Sequence, residues 1–251
     1  MSPRGGGLGV ARTWGRPNPL RNRLPILTCA NGKSRLNDDT RLRIREIFFS
    51  LQGEGQRVGL PTLFVRLTGC PLRCSYCDTA YAFQGGESMR IDAILARAAD
   101  YPTRHITVTG GEPLAQRDCL DLLKALCDAG YDVALETSGA LDIAAVDARV
   151  ARIVDLKTPG SGEVERNLWR NLEHLSPRDE IKIVLTDAED YAWAKARLAE
   201  HRLAERCPVL LSPAFGRLEP RQLAEWILAD GLPVRMQVQL HKLLWGEEPG
   251  R

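Results

Sequence analysis

The chain has 251 residues, of which 44% are hydrophobic and 26% are charged, with 22 glycines and 15 prolines. This composition excludes collagen-like, fibrous and wholly disordered proteins, and the length fits one large domain or two small ones. The sequence contains no apolar run of about 18 residues, so it predicts no membrane span. The net charge of +2 does not indicate a dedicated nucleic-acid binder.

Residues 1–40 differ from the rest of the chain. They contain seven basic and two acidic residues, which leaves a net charge of −3 for the remainder. A glycine triplet and several prolines interrupt any helical or alternating period, and no apolar core of a signal peptide follows the basic start. We therefore predict a disordered basic extension at 1–40 and one folded domain at 41–251. A transit peptide or a nucleic-acid-binding arm would share this composition.

From residue 41 onward, short runs of β-branched residues and leucine alternate with helical periods. The predicted strands are 42–48, 62–67, 106–109, 133–136, 153–156, 181–185, 209–211 and 234–238. The predicted helices are 89–99, 115–129, 143–149, 167–174, 188–200 and 220–229. This alternation predicts an α/β fold with a mostly parallel sheet.

Glycines and polar residues gather after the predicted strands. The segments are Thr-Gly-Gly-Glu-Pro at 109–113, Glu-Thr-Ser-Gly at 136–139 and Asp-Leu-Lys-Thr-Pro-Gly-Ser-Gly at 155–162. Parallel α/β proteins build their sites at the carboxyl ends of their strands, so these segments predict a site at one edge of the sheet. The glycine pair at 110–111 suits either close approach to a ligand or a tight turn.

The chain has seven cysteines, at positions 29, 70, 74, 77, 119, 127 and 207. An odd number without a signal peptide argues against a disulfide framework and favours a reducing compartment, the cytoplasm. Cys119, Cys127 and Cys207 fall within apolar helix and strand patterns, which predicts that they are small buried hydrophobic residues.

Cys70, Cys74 and Cys77 have the spacing C-x3-C-x2-C in a predicted loop. Three neighbouring thiolates indicate a soft metal centre. Structural zinc requires four protein ligands, and no histidine lies nearby in the sequence. A four-iron cluster on three cysteines leaves one iron open for a ligand, whereas a fully ligated cluster only transfers electrons. Zinc and chance clustering are the alternatives.

The cysteine spacing, together with Thr-Gly-Gly-Glu-Pro at 109–113, resembles the radical S-adenosylmethionine enzymes. In that superfamily the open iron binds the amino and carboxylate groups of S-adenosylmethionine, which is cleaved to a 5′-deoxyadenosyl radical. The resemblance implies an incomplete parallel (β/α) barrel. It also implies a 4Fe-4S cluster on Cys70, Cys74 and Cys77.

Further motifs indicate one family within this superfamily. They are Leu-Gln-Gly-Glu-Gly at 51–55, Gly-x-Pro at 59–61, Phe-Val-Arg at 64–66 and the terminal segment at 239–246. The glycines at 53 and 55 would let backbone amides approach a flat ligand, although a β-turn has the same requirement. Together with the motifs above, these further motifs make nearly all of residues 42–251 resemble the 7-carboxy-7-deazaguanine synthase family.

This resemblance implies a carbon–nitrogen lyase of queuosine and 7-deazapurine biosynthesis. The reaction would contract the ring of 6-carboxy-5,6,7,8-tetrahydropterin to give 7-carboxy-7-deazaguanine and ammonia. The radical would remove a hydrogen atom from C6, and the product radical would take it back, regenerating S-adenosylmethionine. The implied partners are a flavodoxin-like or ferredoxin-like electron donor and a second copy of the chain, with no nucleic acid and no membrane.

The resemblance also assigns roles to residues. Those implied for substrate are Leu51, Gln52, Gly53, Arg66 and Thr109. Those implied for S-adenosylmethionine are Tyr76, Cys77, Asp78, Gly111, Asp155, Leu156 and Lys157. Thr79 is implied to hold a Mg²⁺ ion that also contacts the substrate.

Three other functions compete with this interpretation. A glycyl-radical activating enzyme shares the cysteine loop, but the Leu-Gln-Gly-Glu-Gly motif speaks against it. An electron-transfer iron–sulfur module or a zinc module would need a fourth fixed ligand. A nucleic-acid binder depends on the basic extension alone and would show a steep salt dependence.

Overall fold

The computed structural model describes residues 40–246, 248 and 250. The predicted disorder of the basic extension therefore lies outside the described residues, apart from Thr40, and so does Cys29. No helix within the described residues is long and apolar enough to span a membrane.

A nine-stranded sheet is the framework of the domain. Its strands are Arg41–Leu51 (β1), Pro61–Leu67 (β2), Glu87–Arg90 (β3), His105–Gly110 (β4), Asp132–Thr137 (β5), Ala151–Leu156 (β6), Glu180–Leu185 (β7), Val209–Pro213 (β8) and Arg235–Met236 (β9). The α-helices of the described part are Ile91–Ala98 (α1), Cys119–Asp128 (α2), Ala188–Glu200 (α3), Pro220–Asp230 (α4) and Leu240–Trp245 (α5).

The strand order is β3-β1-β2-β4-β5-β6-β7-β8-β9. From β2 to β9 every neighbouring pair is parallel. Strand β1 is antiparallel to both β2 and β3. The end strands β3 and β9 do not pair with each other among the described residues. The sheet is therefore an incomplete (β/α) barrel, which confirms the predicted fold class.

Side chains alternate along each parallel strand between the helices and the barrel interior. In β4, Ile106 and Val108 belong to the hydrophobic core, whereas Thr109 lines the interior cavity. Glu136 in β5 and Lys182 in β7 also line that cavity. The strands thus present apolar side chains to the helices and polar side chains to the interior.

The predicted helix at 143–149 is wrong, because this segment forms turns. The carboxylates of Asp142 and Asp147 accept hydrogen bonds from the backbone of Ala144 and Arg149, at 2.9 and 3.0 Å. Such local aspartate bonds compete with helical hydrogen bonding and stabilise turns.

The predicted helix at 167–174 is also wrong, because Trp169–His174 forms only 3₁₀ turns. The Asn167 side chain bonds both backbone groups of Lys157, each at 2.8 Å. The Asn171 amide donates to two carbonyls of the loop after β5. Both asparagines therefore tie this segment to loops at the carboxyl edge instead of supporting a regular helix.

Two short elements, β3 and α5, were not predicted from the sequence. Strand β3 has four residues and lies at the edge of the sheet, so α1 begins at Ile91 and not at the predicted residue 89. Helix α5 has six residues and no buried ones. Elements this short and exposed lack the apolar period that prediction requires.

Candidate active site

The carboxyl ends of the parallel strands surround a cavity of about 530 Å³. That volume falls in the range of about 300–1,000 Å³ that small-molecule sites occupy. The predicted site residues that line it are Leu51, Gln52, Gly53, Arg66, Cys70, Cys74, Tyr76, Cys77, Asp78, Thr79, Thr109, Gly111, Asp155 and Lys157. The fold therefore brings these separate sequence motifs to one place.

Leu156 is the exception among the predicted site residues, because its side chain does not line the cavity. Its side chain is 2% exposed and packs in the hydrophobic core. Alternation along β6 explains this, because Asp155 points to the interior and its neighbour must point to the helices. Leu156 can reach a ligand only through its backbone.

The loop after β2 carries Cys70, Cys74 and Cys77 as free thiols. Two other loops hold it in place. The backbone N–H of Ser75 donates to a carbonyl in the loop after β6 at 2.9 Å. Arg217, after β8, donates to the Ser75 carbonyl at 2.6 Å. Contacts from distant strands therefore fix the shape of this cysteine loop.

Burial raises the pKa of Cys70, and it raises the pKa of Cys74 to about 11. A metal that binds these sulfurs must therefore displace protons. Within the described residues, no three His, Cys, Asp or Glu side chains are arranged to hold a single metal ion. Structural zinc requires four protein ligands on one ion, whereas a four-iron cluster takes each cysteine on a separate iron. The three free thiols on one loop fit that cluster.

Gly111 lets the loop after β4 lie directly against the cysteine loop. A β-carbon at this position would be 2.3 Å from the carbonyl oxygen of Gly69 and 2.7 Å from Cβ of Cys70. The backbone N–H of Glu112 donates to that same carbonyl at 2.7 Å. The glycine pair thus serves close packing between two loops at the site.

Glu112 joins the loops after β4 and β5. It is fully buried, and its carboxylate accepts hydrogen bonds from Thr137 Oγ1 at 3.0 Å and from the backbone of Ser138 at 2.6 Å. A buried carboxylate needs such donors, so the two loops are held together at the cavity wall.

The loop after β6 supplies a buried ion pair. Lys157 Nζ lies 2.9 Å from Asp155 Oδ2. The other oxygen of Asp155 and the hydroxyl of Tyr76 are buried and form no hydrogen bond, and burial raises the pKa of Tyr76. Unpartnered buried polar atoms are costly, so both atoms fit a polar ligand such as S-adenosylmethionine.

The Leu-Gln-Gly-Glu-Gly motif enters the barrel from the opposite edge. Because β1 is antiparallel to β2, Leu51 lies at the amino end of β2. The following loop crosses the amino ends of other strands. There, the Gln56 backbone donates to Glu180 at 2.9 Å, and Arg57 donates to Asp132 at 2.6 Å. Residues 52–60, the floor loop, thus close the cavity opposite the cysteine loop.

Gln52 and Thr109 share one acceptor. Gln52 is 2% exposed, and its side-chain amide donates to Thr107 at 3.1 Å and to Glu136 at 3.2 Å. Thr109 Oγ1 donates to the other oxygen of Glu136 at 2.8 Å. Glu136 therefore fixes the orientation of both predicted substrate residues.

Arg66 already has a carboxylate partner. Its Nε donates to Glu46 at 2.7 Å, and its guanidinium lies 5.6 Å from the ring centre of Phe48 and 5.9 Å from that of Tyr81. The terminal guanidinium nitrogens form no hydrogen bond among the described residues. Arg66 is thus held in position and keeps donors for an anionic ligand.

The terminal segment connects the two sides of the cavity. The side-chain amide of Gln239 donates to Glu54 at 2.7 Å and to Asp78 at 3.3 Å. Asp78 also accepts a hydrogen bond from the hydroxyl of Thr79 at 3.2 Å. The floor loop and the end of the cysteine loop are therefore linked through one glutamine.

Comparisons with known proteins agree with this geometry. A family model described as the Radical SAM superfamily matches residues 64–159. A 7-carboxy-7-deazaguanine synthase from Chlorobaculum tepidum is 46% identical over 216 residues, which cover 85% of this chain and 98% of the relative. Another, from Koribacter versatilis, is 41% identical over 222 residues, covering 82% of this chain and 98% of the relative.

The chain belongs to the 7-carboxy-7-deazaguanine synthase family.

A solved structure supports the same assignment. The crystal structure of QueE from Escherichia coli matches with a TM-score of 0.66 and 26% identity, over 80% of this chain and 95% of that chain. Membership of the 7-carboxy-7-deazaguanine synthase family argues against a glycyl-radical activating enzyme and against a purely electron-transferring or zinc-binding module. The nucleic-acid alternative depended on the basic extension, which lies outside the described residues apart from Thr40.

Several cavity residues were not among the predicted site residues of this synthase family member. They are Phe48, Glu54, Phe64, Glu136, Lys182, Gln239 and His241. Glu136 and Lys182 could have been predicted, because each is a charged residue inside a predicted strand. Charged residues are rarely buried unless they are paired or functional. Glu54, Phe64, Gln239 and His241 lie within the motifs at 51–55, 64–66 and 239–246. Phe48 lies outside them, and its place in the cavity required knowledge of which strands meet.

Proposed function

We propose that this protein converts 6-carboxy-5,6,7,8-tetrahydropterin into 7-carboxy-7-deazaguanine and ammonia, as a radical S-adenosylmethionine lyase of queuosine and 7-deazapurine biosynthesis. One observation carries the proposal beyond family membership. A single cavity joins the three-cysteine loop to Gln52, Arg66 and Thr109 on the facing walls. Radical generation and substrate binding would therefore occur in one cavity.

At the upper end of the cavity, Cys70, Cys74 and Cys77 would hold a 4Fe-4S cluster. Tyr76, Cys77, Asp78, Gly111 and residues 155–157 would surround S-adenosylmethionine, with Leu156 contributing backbone only. When bound, these two cofactors supply the radical that removes a hydrogen atom from the substrate. The unpartnered oxygens of Asp155 and Tyr76 support this placement, because both suit the polar groups of the cofactor.

At the lower end, the floor loop and β2 would hold the pterin. Gln52 and Thr109 offer amide and hydroxyl groups to the ring, and Leu51 and Gly53 offer backbone groups. Arg66 would pair with the substrate carboxylate through a charge-assisted hydrogen bond. Phe48 and Phe64 stack with their ring centres 4.8 Å apart, which gives this wall an apolar face for a flat ring.

The chain's own residues would act by orientation. Radical chemistry is unselective, so positioning must supply the specificity. Glu54 acts as an acceptor and not as an acid: burial alone would raise its pKa, but the neighbouring Lys182 ammonium lowers it to about 2. The floor loop closes the amino ends of the strands and would keep water from the reacting carbon.

The proposal includes further components. Thr79 would help to bind Mg²⁺, with Asp78 beside it, and waters and substrate would complete a shell of oxygen ligands. Residues 41–251 would form the catalytic domain of a homodimer in the cytoplasm. A flavodoxin-like or ferredoxin-like protein would supply the electron that the cluster requires.

The proposal is tested by anaerobic reconstitution with iron and sulfide, followed by incubation with the carboxytetrahydropterin and S-adenosylmethionine. We predict about four irons and four sulfides per chain and formation of 7-carboxy-7-deazaguanine. Cys74→Ser should lose most of the cluster, whereas Cys119→Ser should keep it, because Cys119 is buried in α2. Equal losses in the two variants would refute the ligand assignment.

A further inference from the structure

Lys182 occupies the middle of a buried chain of alternating charges in the cavity. Its Nζ lies 2.5 Å from Glu54 Oε2 and 3.7 Å from Asp155 Oδ2. Asp155 pairs in turn with Lys157 at 2.9 Å. The order of charges is therefore negative, positive, negative, positive, from the floor loop to the wall beside the cysteine loop.

Each member of this chain depends on its neighbours. The side chains of Lys182 and Glu54 are each 15% exposed, and a charge removed from water is stable only when it is paired. Burial alone would lower the pKa of Lys182, but Glu54, Asp155 and Glu136 raise it well above its ordinary value. Lys182 therefore stays charged and does not transfer protons at neutral pH.

The Glu54 carboxylate is held at both oxygens. One accepts from Lys182 at 2.5 Å and the other from Gln239 at 2.7 Å. Each carboxylate oxygen can accept more than one hydrogen bond, so a fixed Glu54 can still receive a pair of adjacent N–H donors. The aminopyrimidine edge of a pterin presents such donors.

We propose that Lys182 is a positioning residue for the synthase reaction. It holds the Glu54 carboxylate for the substrate and the Asp155 carboxylate for S-adenosylmethionine at a fixed separation, so that cofactor cleavage is coupled to substrate conversion. This inference rests on the proposed function and extends it to Lys182, a residue that lines the cavity.

Loss of the ammonium group would leave two carboxylates near each other without the shared cation. Glu54 would then turn away or take up a proton, and the pterin would bind less tightly and in more than one orientation. If the substrate carbon is misplaced, the 5′-deoxyadenosyl radical can take a hydrogen atom from another donor before it reaches the substrate. S-adenosylmethionine would then be consumed without product.

The test compares Lys182→Met, Lys182→Arg, Glu54→Gln and the double variant Lys182→Met/Glu54→Gln in reconstituted enzyme. The control is Lys195→Met, which removes an exposed lysine that pairs with Asp230 on the outer helices. The measurements are cluster content, KM for each ligand, and product formed per S-adenosylmethionine consumed. The last ratio distinguishes positioning from a general loss of structure.

We expect Lys182→Met to raise the substrate KM by about tenfold or more, and to lower the ratio of product to consumed cofactor severalfold. Lys182→Arg should restore most of both, because it keeps the charge. The double variant should lose less than the two single variants' losses added together, since residues that act through one another are not additive. The Lys195→Met control should match the wild type.

Additive losses in the double variant, or a wild-type ratio in Lys182→Met, would overturn the inference while leaving the proposed function intact. If Lys182→Met does not retain its cluster, the double variant, which removes both charges together, decides: a wild-type ratio of product to consumed cofactor in the double variant would overturn the inference. If the wild-type enzyme itself fails to convert the carboxytetrahydropterin, the proposed function falls and this inference falls with it.

Discussion

For Arg66, the sequence predicts the chemical role of the side chain but not its partner in the folded chain. Its place before the cysteine loop indicates a cation for a carboxylate, and the structure adds Glu46 as a partner at 2.7 Å. That partner was not predictable, because the pairing of β1 with β2 shifts register between Ile44 and Glu46. A β-bulge of this kind changes which side chains face each other.

We predict that Arg66→Ala impairs substrate binding with the cluster unchanged. Loss of a charge-assisted hydrogen bond costs about 1.5–3 kcal/mol, which corresponds to a fall in kcat/KM of about ten- to a hundredfold. Steady-state kinetics under anaerobic conditions measure this. Arg149→Ala, which removes an exposed arginine paired with Asp147, is the matched control. Equal kinetics in the two variants would remove Arg66 from the substrate site.

At the scale of elements, the alternation of strands and helices predicted the parallel sheet and its carboxyl edge correctly. Two features were beyond it. The floor loop reaches the cavity from the amino edge, because β1 runs antiparallel to β2. The alternation of predicted strands and helices does not show the direction of a strand. The segments at 143–149 and 167–174 have helical composition. In the first, aspartate side chains bond local backbone groups two residues away, which favours turns. In the second, Asn167 and Asn171 bond backbone groups that only the folded chain brings near.

The contact between the glycine loop after β4 and the cysteine loop gives a prediction at this scale. Gly111→Ala would place a β-carbon 2.3 Å from the carbonyl oxygen of Gly69, so the two loops must separate. We expect the variant to lose most of its iron after reconstitution, measured by iron and sulfide content. Gly59→Ala is the control, because Gly59 has φ +85° but no atom within 4 Å of its added β-carbon.

Gly59→Ala should cost about 1 kcal/mol of stability from backbone strain and should retain the cluster. If Gly111→Ala binds iron as well as this control does, the close packing of the two loops is not needed to hold the cluster.

At the scale of the whole molecule, the incomplete barrel separates two tasks. The residues proposed for the cofactors follow the parallel strands at one edge, and the floor loop brings Gln52 and Gly53, which are proposed for the substrate, from the other edge. The Chlorobaculum tepidum relative covers 85% of this chain and is itself covered to 98%, so part of this chain has no counterpart there. The described sheet begins at Arg41.

We therefore predict that a chain lacking residues 1–40 folds and retains full activity. Circular dichroism, thermal unfolding and product formation would be compared with those of the full chain. Aggregation of the shortened protein, or loss of activity with the cluster intact, would show that the basic extension contributes to the catalytic domain.

The most direct test of the proposed reaction follows a hydrogen isotope. Gln52, Arg66 and Thr109 are proposed to hold the pterin so that its C6 hydrogen faces the radical, and the product radical is proposed to take hydrogen back. Substrate deuterated at C6 should therefore transfer its label into S-adenosylmethionine over many turnovers per cofactor molecule, as measured by mass spectrometry. Cleavage of S-adenosylmethionine without conversion of the carboxytetrahydropterin, or conversion without any label in the cofactor, would contradict the proposed reaction.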